Sequence, residues 1–172
     1  MNDTRLEKIL GKDISDIKAQ FNFELKENNF SKNDFALVFH SNESYINEPF
    51  YNMFYNHISI ITNKKDKVQS ITIHFREIID YSFFNSFIEN YGEPNSIQVI
   101  ENRKRISKTT IKDEFGRASQ TLTKNIFDLR EGTFEEKPLH IIWQKSNFQI
   151  KVFLRHEQNI SEITFSNTLN EN

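Results

Sequence analysis

Tyr81-Ser82-Phe83-Phe84-Asn85-Ser86-Phe87-Ile88-Glu89-Asn90-Tyr91-Gly92-Glu93-Pro94 is the stretch that decides the fold. Phe84, Phe87, Ile88 and Tyr91 recur at i, i+3, i+4 and i+7, the spacing of one apolar helical stripe. Gly92 and Pro94 supply the stop, because glycine accepts the left-handed cap and proline cannot continue a helix. Such a stripe must lie on a sheet, and the strands to receive it flank it on both sides. Downstream, Leu139 to Lys145, Phe148 to Arg155 and Ile160 to Phe165 alternate apolar and polar side chains, and Ser146-Asn147 suits a tight hairpin turn. Upstream, His57 to Thr62 and Val68 to Phe75 flank the charged turn Lys64-Lys65-Asp66-Lys67. Matching their apolar faces sets Ile58 opposite Ile73 and Ile60 opposite Ile71.

Outward from this centre the pattern recurs more faintly. Leu6, Ile9 and Leu10 make a stripe in a short helix closed by Gly11, and Asp13 caps a second helix carrying Ile14, Ile17 and Phe21. Phe35, Leu37 and Phe39 alternate with Ala36 and Val38, a strand buried on both faces. Strand Asn95 to Ile100 leads into the polar segment Glu101 to Lys137, read as an extended hairpin that protrudes or wraps. Ile106, Ile111, Phe115, Leu122, Ile126, Phe127 and Leu129 are scattered through it. The expectation is an α+β fold of two tandem helix-plus-antiparallel-meander units, about 1–79 and 80–166, sharing one sheet with helices on one face.

Composition narrows the classes. The 172 residues, with 37% hydrophobic side chains and 17 Phe, suffice for one domain with a real core. Four glycines and three prolines disfavour folds built on glycine-rich phosphate loops. The absence of cysteine removes disulfides, thiolate metal sites and a thiol nucleophile together. A net charge of −2 offers no overall field for a polyanion or a membrane surface. The charged N-terminus Met1 to Leu10 lacks an apolar signal core, and no run reaches the roughly 18 apolar residues of a membrane helix, so a cytoplasmic protein is expected.

The phrases Leu10-Gly11-Lys12-Asp13-Ile14 and Tyr91-Gly92-Glu93-Pro94 are each followed by strands ending in an Ile-x-x-Ile-like phrase, Val68 to Ile73 and Ile160 to Phe165. In these the chain resembles the helix-plus-meander repeats of small bacterial α+β proteins, among them immunity proteins of toxin systems and the β-lactamase-inhibitor-protein or SmpA-like folds. The resemblance implies protein binding through a sheet face or loops, and it carries over no catalytic residue.

Each chemical constellation has a plain alternative. His57 and His74 form a cross-strand pair away from the helix, close enough to share a metal. Their neighbours on that face, Ser59, Ile61, Val68, Ser70 and Thr72, offer no carboxylate, which favours two ordinary polar residues, and His40, His140 and His156 lack partner spacing. Tyr45-Ile46-Asn47-Glu48-Pro49-Phe50-Tyr51-Asn52-Met53-Phe54-Tyr55 gathers five aromatics and a Met, types enriched at interface centres. Either it is a partner-binding patch, or Phe50, Met53 and Phe54 form a helical turn from Pro49 that packs on the core. The basic run Arg103-Lys104-Arg105, extended by Lys108 and Lys112, lacks the interleaved aromatics of a nucleic-acid site and suits a solvated strand or an acidic protein partner. No nucleophile elbow, phosphate loop or two-histidine helix motif occurs.

The preferred reading is a non-enzymatic, cofactor-free, protein-binding module of the immunity type that occludes a toxin. Tyr45, Phe50, Tyr51 and Tyr55 would anchor the partner, and Arg103, Lys104 and Arg105 would steer it. A small-ligand-binding domain and an envelope-associated accessory protein are its rivals.

Overall fold

The apolar–polar alternation of the central strands is realised as one antiparallel sheet. The computed structural model describes residues 5–21, 23–27, 36–41 and 49–168. Its strands are β1 (Leu25–Glu27), β2 (Ala36–Ser41), β3 (Pro49–Phe50), β4 (Met53–Phe54), β5 (His57–Asn63), β6 (Val68–Phe75), β7 (Ser96–Lys112), β8 (Ala118–Glu131), β9 (His140–Gln144), β10 (Phe148–Arg155) and β11 (Ile160–Asn167). Among the described residues, nine of them form a sheet in the order β1-β2-β5-β6-β11-β10-β9-β7-β8, while β3 and β4 make a separate small hairpin. The architecture is α+β and mostly antiparallel sheet.

Two apolar rows cross this sheet on one face. Register aligns Ile58, Ile73, Ile163, Val152, Ile141 and Ile97 in one row. The second row runs Phe39, Ile60, Ile71, Phe165, Ile150 and Trp143. Helix α2 (Tyr81–Tyr91) covers them with buried Phe83, Phe84, Phe87 and Tyr91. The predicted stripe is therefore shifted. Phe83 joins Phe87 at the centre, and Ile88 is only half-buried at the edge.

Both ends of α2 are secured. Asp80 Oδ1 accepts a 2.7 Å hydrogen bond from the Phe83 amide at the N-terminus. Gly92 takes φ +72° at the C-terminus, a conformation that side chains with a Cβ resist, and its carbonyl accepts a 2.8 Å bond from buried Trp143 Nε1. The helix end and the strand end are thereby held together.

The N-terminal segment completes the cover. A 3-10 turn at Leu6–Ile9 and a single-turn α1 (Ile14–Lys18) bring Leu6, Ile9, Ile14 and Ile17 into the same core cluster. The Asp13 carboxylate forms no helix cap. It bonds Lys67 Nζ at 2.8 Å instead, because Asp13 and Lys67 meet across a β-bridge. Tyr91 reaches the same segment, donating its hydroxyl to Glu7 Oε2 at 2.8 Å.

Three sequence expectations change here. A β-bulge opposite Ile61/Thr62 leaves Gln69 as the extra residue on β6 and flips the alternation of that strand, so Thr62 and Val68 pair on the core side and Val68 leaves the open face. The strand expected to end at Ile100 runs on to Lys112, and the polar hairpin beyond it protrudes. The strand expected to be buried on both faces buries Phe39 but leaves Val38 and His40 half-buried in β2, and Phe35 lies outside the described residues.

Phe87 is fully buried among Phe50, Phe83, Tyr91, Trp143 and Phe165. Truncating it leaves a cavity that rigid strands cannot close, so Phe87→Ala should destabilise the chain by about 3–5 kcal/mol in urea unfolding, whereas exposed Tyr81→Ala should cost under about 1 kcal/mol.

Candidate functional site

The register that turns isoleucines inward turns a polar row outward. His57, His74, Glu162, Phe153, His140 and Gln98 lie side by side on the open face. The row beside it contains His40, Ser59, Thr72, Thr164, Lys151 and Ile142. The predicted His57–His74 pair forms, and long-range pairing adds to it. His40 Nδ1 lies 3.1 Å from His57 Nε2 and 3.2 Å from Ser59 Oγ, and Ser59 Oγ lies 3.0 Å from His74 Nε2. Ser41 Oγ meets His57 Nδ1 at 3.0 Å. Glu162, at 3.6 Å from His74 Nδ1 and 3.5 Å from Arg155 Nη2, carries the network across to β10.

Burial in this cluster favours the neutral rings of His57 and His74. A nitrogen–nitrogen hydrogen bond needs one donor and one acceptor, so His40 and His57 cannot keep it with both rings protonated. Burial, reinforced by His74 and His40, pushes His57 down to about 4. Burial also holds His74 below its ordinary value despite Glu162. His140, set against Phe153 with ring centroids 5.0 Å apart, is pushed down to about 4 by burial and by Lys151. Among the described residues no group of three or more His, Cys, Asp or Glu side chains is arranged to hold a metal ion.

The second element of the face is the β7–β8 ribbon. Beyond Gln98, among the described residues, β7 pairs only with β8, and the two continue to a turn at 113–117. Its root is fixed. Ser96 Oγ donates to Glu131 Oε1 at 2.6 Å, and Arg130 Nη2 to Glu136 Oε1 at 2.5 Å. Gly132 lies so close to Val99 that an added Cβ would come within 2.8 Å of its Cγ1. At the tip, Asp113 Oδ1 accepts from the amides of Phe115 (3.0 Å) and Arg117 (2.8 Å), which presents Phe115 with 72% of its surface exposed. Ile106, Ile111, Leu122 and Ile126 are exposed along the shaft. Residues 101–130 hold eight Lys and Arg against four Asp and Glu, a net +4 within a chain of net −2.

Where the ribbon leaves the sheet it overhangs the end of β10. A cleft of about 420 Å³ lies there, between Ile100, Arg103 and Phe127 on the ribbon and Phe153, Arg155 and Glu157 on the sheet side. Arg103 donates to Glu157 Oε1 at 2.6 Å and lies over the Phe127 ring at 5.5 Å, and Arg155 lies over Phe153 at 4.9 Å. A second opening of about 420 Å³, lined by Ile78, Tyr81, Phe134 and Pro138, adjoins it on the far side of Lys137.

The sequence-predicted residues separate into two groups. Arg103, Lys104 and Arg105 are exposed on the ribbon, with Arg103 facing Phe127, Lys104 facing Ile126 and Arg105 facing Asn125. In the described part of the aromatic stretch, residues 49–55, Phe50, Met53 and Tyr55 belong to the core. Neither an exposed surface nor a helical turn forms from Pro49, because β3 and β4 close a two-residue hairpin with Tyr51 at φ +55°. That hairpin buries Phe50 and Met53, and Tyr55 is buried after it. Tyr51 packs on Phe83 and Phe87, with centroids 5.6 and 5.0 Å away, and Phe54 is the exposed one among the described aromatics of the stretch. Tyr45 lies outside the described residues.

Sequence reasoning missed His40, Glu162, Arg155 and Phe115. The first three reach the site through the β2–β5, β6–β11 and β10–β11 ladders, which join segments no local pattern connects. Phe115 had a signal in the Asp113-to-Arg117 turn. Compared with protein-family models, curated proteins and solved structures, the chain gives no match in any of the three. No helix among the described residues is long and apolar enough to cross a membrane.

Because the folded chain binds protons at His57 and His140 less readily than the unfolded chain, stability is fully present above about pH 6.5 and is lost as pH falls towards 4. Urea midpoints at pH 7.5 and pH 5 should differ less in His57→Asn than in wild type. An unchanged difference would show that the cluster does not carry the acid sensitivity.

Proposed function

We propose that the chain is a non-enzymatic protein-binding module, an immunity-type inhibitor that occludes a bacterial toxin in the cytoplasm, with the β7–β8 ribbon as its reaching element. We also read the scaffold as two helix-plus-meander units, one ending in β6 and the other in β11, set side by side. One observation carries the functional reading. From Ile100 to Lys112 the ribbon spans roughly 40 Å at about 3.3 Å per residue, with a single partner strand among the described residues and its side chains exposed beyond Val99. A lone hairpin is marginal in water, and its exposed Ile, Leu and Phe side chains find cover only on another molecule.

The chemistry of that partner follows from the charge. A ribbon of net +4 attracts an acidic surface and speeds encounter with it, and the tip Phe115 is the type of rigid apolar group that anchors an interface once water is excluded. The residues assigned to steering are Arg103, Lys104 and Arg105, with Phe115 taking the anchoring role expected from the sequence of Tyr45, Phe50, Tyr51 and Tyr55. The small-ligand reading has the two clefts of about 420 Å³ in its favour, although both open broadly to solvent.

The test is binding and rescue with the products of the genes flanking this one. One of them should arrest growth when expressed alone, be neutralised by this chain and bind it with sub-micromolar Kd in calorimetry. Phe115→Ala should weaken that binding at least tenfold with an unchanged urea midpoint. Flanking products that neither bind nor intoxicate would remove the reading.

A further inference from the structure

The cleft at the foot of the ribbon has more structure than a gap between strands, and its lining has a definite chemical preference. Its floor is apolar and aromatic, formed by Ile100, Phe127 and Phe153. Its walls carry three permanent cations, Arg103, Arg155 and Lys137, against one carboxylate, Glu157. Each guanidinium is laid on a ring, Arg103 on Phe127 and Arg155 on Phe153. Stacking of this kind leaves the N–H fork free to receive a carboxylate in its plane and reduces the rotamer entropy lost on binding.

Glu157 itself shows what the cleft accepts. It meets Arg103 at 2.6 Å, yet its side chain is 71% exposed and that of Arg103 45% exposed. An ion pair so open to water is weak and exchanges readily. Arg155 is differently held, 3.5 Å from Glu162, which the histidine cluster also contacts. The Arg103 pairing is thus the replaceable one, and Glu157 occupies the position of an incoming acid.

We infer that this cleft receives a segment of the partner protein in which an Asp or Glu is flanked by apolar side chains. The carboxylate takes the place of Glu157 at Arg103, and the apolar neighbours lie on Phe127 and Phe153. This rests on the reading of the chain as a protein-binding module and names the partner's contact chemistry. The positive ribbon, on a chain that is otherwise negative, matches an acidic occupant.

The experiment is an NMR titration of the full chain with a blocked hexapeptide carrying Leu-Phe-Asp-Leu at its centre, its Asn counterpart, and phenylacetate. The Asp peptide should bind with sub-millimolar Kd and shift the Arg103 and Arg155 Nε signals and the Phe127 and Phe153 rings. The Asn peptide should bind at least tenfold more weakly. Arg103→Gln should weaken the Asp peptide at least fivefold. Glu157→Gln, which removes the internal competitor, should tighten it at least twofold. That gain is a result a merely structural ion pair would not give. Equal binding of the two peptides, no gain in Glu157→Gln, or shifts confined to other regions would overturn the inference. Phenylacetate binding as tightly as the peptide would overturn it in favour of a small-carboxylate site. Should a flanking-gene product bind with an affinity that Phe115→Ala lowers and Arg103→Gln and Glu157→Gln leave unchanged, the protein-binding reading stands and the cleft assignment falls.

Discussion

The pairing of β6 with β11 is the constraint on which the rest of the structure depends. It runs from Phe75 opposite Ser161 to Ser70 opposite Ser166 and joins the last strand of each half of the chain. Ile71 and Ile73 thereby meet Phe165 and Ile163 beneath the α2 phenylalanines. Bringing together residues some ninety positions apart costs loop entropy that only a contiguous buried row can offset. The two six-residue apolar rows are that offset.

The same register dictates the chemistry on the other face. Side chains in a strand alternate, so the step that sets Ile73 against Ile163 also sets His74 against Glu162, and Thr72 Oγ1 2.9 Å from Thr164 Oγ1. A slip of one residue would bury the histidines and expose the isoleucines. The polar network is therefore a consequence of core packing, and it spreads from His57 on β5 to Arg155 on β10 without further architecture. The ribbon contrasts with this. Beyond Ile100, among the described residues, β7 pairs with β8 alone, the Arg103–Glu157 bond ties the foot of the ribbon to the sheet side and Asp113 holds its tip, so it keeps its form without contributing to the core.

How much of this was legible in the sequence depends on distance along the chain. The α2 boundaries, the Ile58–Ile73 and Ile60–Ile71 pairs, and the β9–β10–β11 meander all follow from local periodicity and nearby turns. Each was readable because one apolar face admits one register. The bulge opposite Ile61/Thr62 was not readable, since nothing in Val68-Gln69-Ser70 marks Gln69 as the extra residue. At residues 49–55 two readings stayed open because aromatic composition is the same in a core and in an interface. Only the hairpin at Tyr51-Asn52, which turns Phe50 and Met53 inward, decides between them. The cleft depends on β7 continuing past Ile100 and overhanging the end of β10, a relation that no pattern in either strand encodes.

Backbone amide hydrogen exchange, measured residue by residue on the full chain near neutral pH, tests this account most directly. If the β6–β11 ladder holds the core and the ribbon is an arm that opens by itself, the bonded amides of β6 and β11 should exchange only through global unfolding. Those of 103–110 and 121–126 should exchange at least about a hundredfold faster. Ribbon amides as protected as those of β6, or a β6–β11 ladder that opens before the rest of the sheet, would contradict it.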